Sequence, residues 1–186
     1  HGTSPFAAQP NVLRTLRAEE NMELFLDYSN MRGLIKFISG IPETTPEIFA
    51  SIAYNTSSKL LDYCIKHKIP LNWWGLFDYK ESTSIELLDL ALKNKSLIKF
   101  YPIKQNFHSK VIYVPGYGVY IGSANMTQKA LSTNIESGVF LNIDDVYSNN
   151  VLDDLESYFY FLTSKFTVLL DEDLQKYKIF IAKHIV

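Results

Sequence analysis

Short apolar runs rich in Ile, Val, Tyr and Phe recur along the chain at residues 34–39, 49–54, 71–77, 98–102, 111–114, 119–122 and 138–142. Their length and their β-branched and aromatic content predict strands. Helical spacing interrupts them. Over 58–68, Leu60, Leu61, Cys64 and Ile65 fall on one side of a helix, and over 84–93 Ile85, Leu88, Ala91 and Leu92 do the same. Thr83 and Glu86 stand at capping-box spacing ahead of the second. Two broader helical patterns, 151–166 and 171–183, follow towards the C-terminus, and packing or dimerisation is the first explanation of their wide apolar faces. Val12, Leu13, Leu16, Met22 and Phe25 predict a further helix over 11–28, although Leu24 and Leu26 blur its stripe. Strands alternating with helices imply βαβ crossovers, so the expected class is α/β, with a mixed, largely parallel β-sheet flanked by helices on both faces. Residues 111–122 differ, because Pro115, Gly116, Tyr117 and Gly118 separate two strand-like runs in the manner of a hairpin.

A length of 186 residues allows one domain with a sizeable core and is too short for two of ordinary size. The expectation is a single domain over 11–186, preceded by a loose arm or tag remnant over 1–10, where Pro5 and Pro10 stand in an aperiodic stretch. No apolar run reaches the roughly 18 residues needed to cross a bilayer, so no membrane association is expected. The lone Cys64 forbids a disulfide within the chain and fits a reducing cytoplasm, as a buried structural thiol. The net charge of −2 argues against a generally basic nucleic-acid wrapper, yet the charge is uneven. Residues 59–110 hold nine Lys against five acids, whereas 111–186 hold five Lys against nine acids. Two accounts stand: solvated helix faces, or a phosphate-attracting side that carries the Lys cluster with an acidic side turned away.

Candidate chemistry is concentrated in Phe107-His108-Ser109-Lys110, Gly122-Ser123-Ala124-Asn125-Met126-Thr127 and Asn134-Ile135-Glu136. In an extended strand residues two apart point to the same side, so His108 and Lys110 offer an imidazole and an ammonium to one point, where a phosphate fits. Small Gly122, Ser123 and Ala124 would let the backbone approach such a group, and Asn125 supplies an amide donor. Glu136 is placed to return on a neighbouring strand and fix the ring of a histidine. Each element alone is weak. His67, in Lys66-His67-Lys68, reads as solvated surface at a helix end, and Trp73 and Trp74 as core or interface more than as base-stacking platforms. Asn55-Thr56-Ser57 matches a glycosylation acceptor that a reducing compartment would not use.

Together, the HxK pair, the glycine-serine-x-asparagine element and the following glutamate resemble the phospholipase D superfamily over roughly residues 34–142. Asn125 follows His108 by 17 positions and Glu136 follows it by 28, which is similar to the single-motif bacterial nucleases of that superfamily. Many members carry an Asp after HxK and four intervening residues, where this chain has Pro115; the loss is mild support for a nuclease over a lipase.

The resemblance implies a phospholipase D-like fold and catalysis by His108, Lys110, Asn125 and Glu136, with Ser123, Lys104 and Thr127 binding substrate; for Ser123 a purely turn-stabilising role stays equally open. It implies a covalent phosphohistidine on one His and protonation of the leaving group by a second. One HxK copy cannot supply both, so a homodimer is expected to complete the site across its two-fold axis. No metal ion and no cofactor is expected. DNA is the expected substrate, cleaved as by the catalytic domain of a restriction-type endonuclease. Base reading would then fall to a separate recognition domain or subunit, since no zinc finger or helix-turn-helix signature follows residue 142. The alternatives are a phospholipid or other phosphodiester hydrolase, and a non-catalytic nucleic-acid-binding module on the same fold.

Overall fold

The computed structural model describes residues 22–26, 33–78, 80–104, 106–148 and 150–184. The arm predicted over 1–10 and, of the helix predicted over 11–28, residues 11–21 and 27–28 lie outside them. One seven-stranded sheet runs through the described chain in the order β1-β7-β6-β5-β2-β3-β4. Its strands are β1 (Met22–Leu26), β2 (Ile48–Ile52), β3 (Leu71–Leu76), β4 (Ile98–Ile103), β5 (Lys110–Val114), β6 (Gly118–Gly122) and β7 (Ser137–Asn142). Helices α1 (Gly33–Gly40), α2 (Lys59–His67), α3 (Ile85–Lys93), α4 (Gln128–Ser132), α5 (Ile143–Ser148), α6 (Val151–Lys165) and α7 (Asp171–His184) connect and cover it.

The class is α/β with helices on both faces, as expected. The largely parallel sheet is not. Only β2–β3 and β3–β4 pair in parallel, through the βαβ crossovers of α2 and α3, whereas β1–β7, β7–β6, β6–β5 and β5–β2 are antiparallel. The cause is the hairpin that joins β5 to β6, followed by the short return into β7; antiparallel strands need no crossover helix.

Two local predictions are corrected for the same physical reason, an apolar run whose period is ambiguous. Residues 34–39 form α1 and not a strand, because Leu34, Phe37 and Ile38 recur at helical spacing and all three are buried. Residues 22–26 form β1 and not part of a helix, with register Leu24↔Val139 against β7. The capping box also fails: Ser84 is the N-cap of α3, while the Thr83 hydroxyl accepts from Asn55 Nδ2.

Side chains alternate between two apolar layers. Ile48, Ala50, Ile52, Leu71, Trp73, Ile112 and Val114 face α1, α2, α3 and α7, while Phe49, Trp74, Tyr101, Tyr113 and Val119 face α5 and α6. Each fully buried aliphatic chain contributes about 1.5–3 kcal/mol. Cys64 lies in the first layer, and burial pushes its thiol up to about 12, so it stays protonated. Among the described residues no helix is long and apolar enough to cross a membrane.

Candidate active site

The carboxyl ends of β2, β3 and β4 and the amino end of β5 open at the same side of the sheet, because β5 runs antiparallel to β2 with Ile52 opposite Lys110. Pairing continues outward, with the Ala53 amide donating to the Ser109 carbonyl at 2.9 Å. His108 stands just before β5 and is exposed. Lys110 opens the strand at 6 % exposure, and its Nζ donates to the His108 carbonyl oxygen at 3.0 Å. Burial pulls the Lys110 ammonium below its ordinary range, and the Glu136 carboxylate opposes that shift by a smaller amount. Glu136 is therefore an electrostatic neighbour of Lys110.

The third and fourth motif residues are held from both sides. The Tyr54 amide donates to Asn125 Oδ1 at 3.3 Å. A backbone N–H can only donate, so it fixes the carbonyl end of that side chain and leaves the Asn125 NH₂ as donor. Glu136 accepts from Ser123 Oγ at 2.5 Å and from Asn134 Nδ2 at 2.9 Å, and Ser123 Oγ accepts in turn from the Ser137 amide at 3.0 Å. The expected contact of Glu136 with the His108 ring is absent: among the described residues no hydrogen bond reaches that ring. Glu136 instead braces the β6–β7 end through Ser123. His108, Lys110, Asn125 and Glu136 thus meet at one end of the sheet, where an exposed imidazole, a buried ammonium and an oriented amide can address a single anionic group.

Residues 75–160, which include all four of these positions, match the family model described as cardiolipin synthase, PLD-like domain. NucT from Helicobacter pylori is similar in structure with a TM-score of 0.59 at 19% identity, over 80% of this chain and 98% of that one. The fold is phospholipase D-like. Nuc from Salmonella typhimurium, a phospholipase D family member, gives 0.56 at 17% identity over 80% of this chain and 97% of that one. Phosphatidylserine synthase from Haemophilus influenzae Rd KW20 gives 0.63 at 10% identity, over 87% of this chain and 45% of that one. No curated protein sequence matches the chain significantly.

The remaining candidates of this phospholipase D-like domain are placed less centrally. Thr127 is the N-cap of α4, its hydroxyl accepting from the Ala130 amide at 3.2 Å, which gives that side chain a structural task. Lys104 is exposed just beyond β4 and lines a separate groove with Phe166 and Lys176. The small size of Gly122 and Ala124 is also required by internal packing. A Cβ on Gly122 would meet Ser137 O at 2.7 Å and the Tyr120 hydroxyl, and Ala124 is buried in the core. The Lys-rich segment does not form one basic side either. Lys104 and Lys110 lie at the site end, whereas Lys66, at the end of α2, and Lys95, paired with Asp171 at 3.1 Å, belong to the other.

Two supports escaped the sequence reading. Asn55, fully buried, accepts from Trp73 Nε1 at 3.2 Å and donates to Ile52 O at 2.7 Å and to Thr83 Oγ1 at 3.3 Å. Its backbone bridges to Thr83 and Met126, so it ties the end of β2 to the segment that carries Asn125. On the other face the Tyr158 hydroxyl donates to Ser109 Oγ at 2.8 Å and meets Ser51 Oγ at 2.6 Å, clamping the residue between His108 and Lys110 to α6. A buried polar residue at the end of an apolar run was the one available signal for Asn55.

Proposed function

We propose that this chain is a metal-independent phosphodiesterase that cleaves DNA through a phosphohistidine, with a site shared by two copies of the chain. The observation that carries the reading is the meeting of His108, Lys110 and Asn125 at one sheet end, which offers a nucleophile and two kinds of donor to a phosphate. An imidazole nitrogen of His108 attacks phosphorus and forms the P–N bond as the P–O bond to the leaving nucleotide breaks. Lys110 and Asn125 hold the non-bridging oxygens, where negative charge builds. The leaving oxygen takes a proton from His108 of the partner subunit, which must be protonated while the nucleophile is neutral. Water then attacks phosphorus, gives its proton to that second imidazole, and breaks the P–N bond, restoring both rings. Glu136 acts through its field on Lys110 and its hold on Ser123, while Lys104 contacts the flanking strand. Similarity of fold to NucT and Nuc supports the hydrolytic class. The restriction-type assignment adds a separate recognition domain or subunit to choose the sequence.

The test is cleavage of plasmid DNA and of bis(p-nitrophenyl) phosphate in EDTA. His108→Ala is expected to lose at least about 10⁴-fold in rate, and an alkaline quench during turnover should retain phosphate on the wild-type protein, since a phosphoramidate survives base. Adding excess His108→Ala protein under subunit exchange should also extinguish wild-type activity, because a mixed dimer lacks the acid or the nucleophile. A strictly monomeric protein that hydrolyses either substrate, or a His108→Ala protein of unchanged rate, overturns the proposal.

A further inference from the structure

The sheet end remote from His108 carries a second concave feature. Where β2 begins and β5 turns into β6, a cavity of about 780 Å³ opens beside α6, within the size range of sites for small organic ligands. Phe49, Tyr113, Tyr147 and Tyr160 supply aromatic walls, and Glu47 and Glu156 add carboxylates. Among the described residues that line it none is a lysine, arginine or histidine. Tyr113 is the decisive member. The residue is 7% exposed, its ring stacks on Phe49 at 6.0 Å, and among the described residues its hydroxyl makes no hydrogen bond. Tyr147, Glu156 and Glu47 line the same cavity; burial raises the Tyr113 pKa first, and these three groups raise it further.

The hydroxyl of this largely buried ring opens on a cavity lined by two carboxylates and aromatic faces, with no lysine, arginine or histidine among the described lining residues. Anions are repelled there. An alkyl chain without charge would leave the carboxylates unpaired, and a small hydrated cation would gain nothing from the rings. Glu47 already accepts from Asn72 Nδ2 at 3.2 Å through one oxygen, which orients the carboxylate and leaves its other oxygen available. We propose that this cavity binds a small aliphatic amine in its ammonium form. The Tyr113 oxygen and the two carboxylates take the N–H donors, and the aromatic rings pack on the methylenes. Two carboxylates favour a diamine over a monoamine. Most of the lining belongs to the acidic segment 111–186, with Glu47 and Phe49 added from the start of β2, and the site does not depend on the phosphodiesterase reading.

Calorimetric titration of the whole chain at low salt with 1,4-diaminobutane, butylamine and butan-1-ol tests this. Saturable one-to-one binding of the diamine is expected, with Kd of order 0.1–1 mM, weaker binding of butylamine, and none of butan-1-ol. Glu47→Gln, Glu156→Gln and Tyr113→Phe, each checked by thermal melting, should weaken the diamine roughly fivefold or more. No saturable heat up to about 10 mM, a range that spans weak ligand affinities, overturns the proposal. So does equal binding of butan-1-ol, which would mark the cavity as merely apolar, or unchanged binding by all three variants. A lysine-bearing tripeptide that binds much more tightly than the diamine would overturn it in favour of a protein partner.

Discussion

Lys110 is an ammonium in the wrong place for stability. It is 6% exposed, its Nζ has the His108 carbonyl at 3.0 Å, and the Glu136 carboxylate offsets only part of the burial penalty. Lys110→Met keeps most of the apolar stem and deletes the charge, and because His108 is an exposed residue water can replace the lost partner of its carbonyl. Replacing an under-compensated buried charge by an apolar group of similar shape stabilises by about 1–2 kcal/mol, which for a chain of this size raises Tm by roughly 2–8 °C. On the proposed mechanism activity should fall about 10²-fold or more, since Lys110 there donates to the developing charge. The pH dependence fixes the sign. Because the folded pKa lies below the unfolded one, the penalty is complete at neutral pH, where both states hold the proton. It is relieved as pH rises through the folded pKa towards the unfolded value, the window in which the unfolded chain binds more protons. Urea unfolding of both proteins from pH 7 to pH 10, at a few points, reads this directly. The advantage of the Met protein should be full at pH 7 and shrink at alkaline pH. A Met protein that is less stable by about 1 kcal/mol, or an advantage independent of pH, refutes the reasoning.

Two supports give further predictions. Asn55→Ala strands Trp73 Nε1, the Ile52 carbonyl and Thr83 Oγ1 in a fully buried place, so urea unfolding should register a loss of about 3–4 kcal/mol, together with a fall in kcat/KM as the Asn125 segment loosens. Tyr158→Phe keeps the ring against Phe159 but deletes the hydroxyl that joins Ser51 to Ser109. A loss of about 1–2 kcal/mol and a severalfold drop in kcat with little change in KM are expected from parallel denaturation and kinetic measurements.

What the chain revealed in advance follows from how local each signal is. Helices α2 and α3 carry clear 3.6-residue stripes, and the Pro115 to Gly118 turn can hardly be anything but a hairpin. The His108 and Lys110 pair was legible because its two-residue spacing carries its own geometry. Residues 34–39 were not, since a run with Leu, Ile, Phe and Ile satisfies both periods and only burial against β7 and β1 decides for the helix. Strand order was illegible too, because pairing β5 with β2 joins segments about sixty residues apart that share no local pattern. The role of Asn55 was hidden for the same reason: its partners Trp73, Thr83 and Met126 are spread along the chain.

The antiparallel half of the sheet, which the sequence pattern did not foretell, is what assembles the candidate site. Within the parallel half, β2, β3 and β4 all end at the same edge, where open α/β sheets gather ligands. A further parallel strand placed beside β2 would bring its own carboxyl terminus there, and the residues leading into it would lie at the remote edge. Because β5 runs the other way, its first residues, His108 to Lys110, arrive beside Tyr54 and Asn55. The hairpin then returns β6 so that Gly122 to Asn125 reaches that same edge, and β7 starts there after Glu136. Direction reversal at the β2–β5 boundary, and not the βαβ units alone, therefore puts three sequence-separated motif elements within reach of one group.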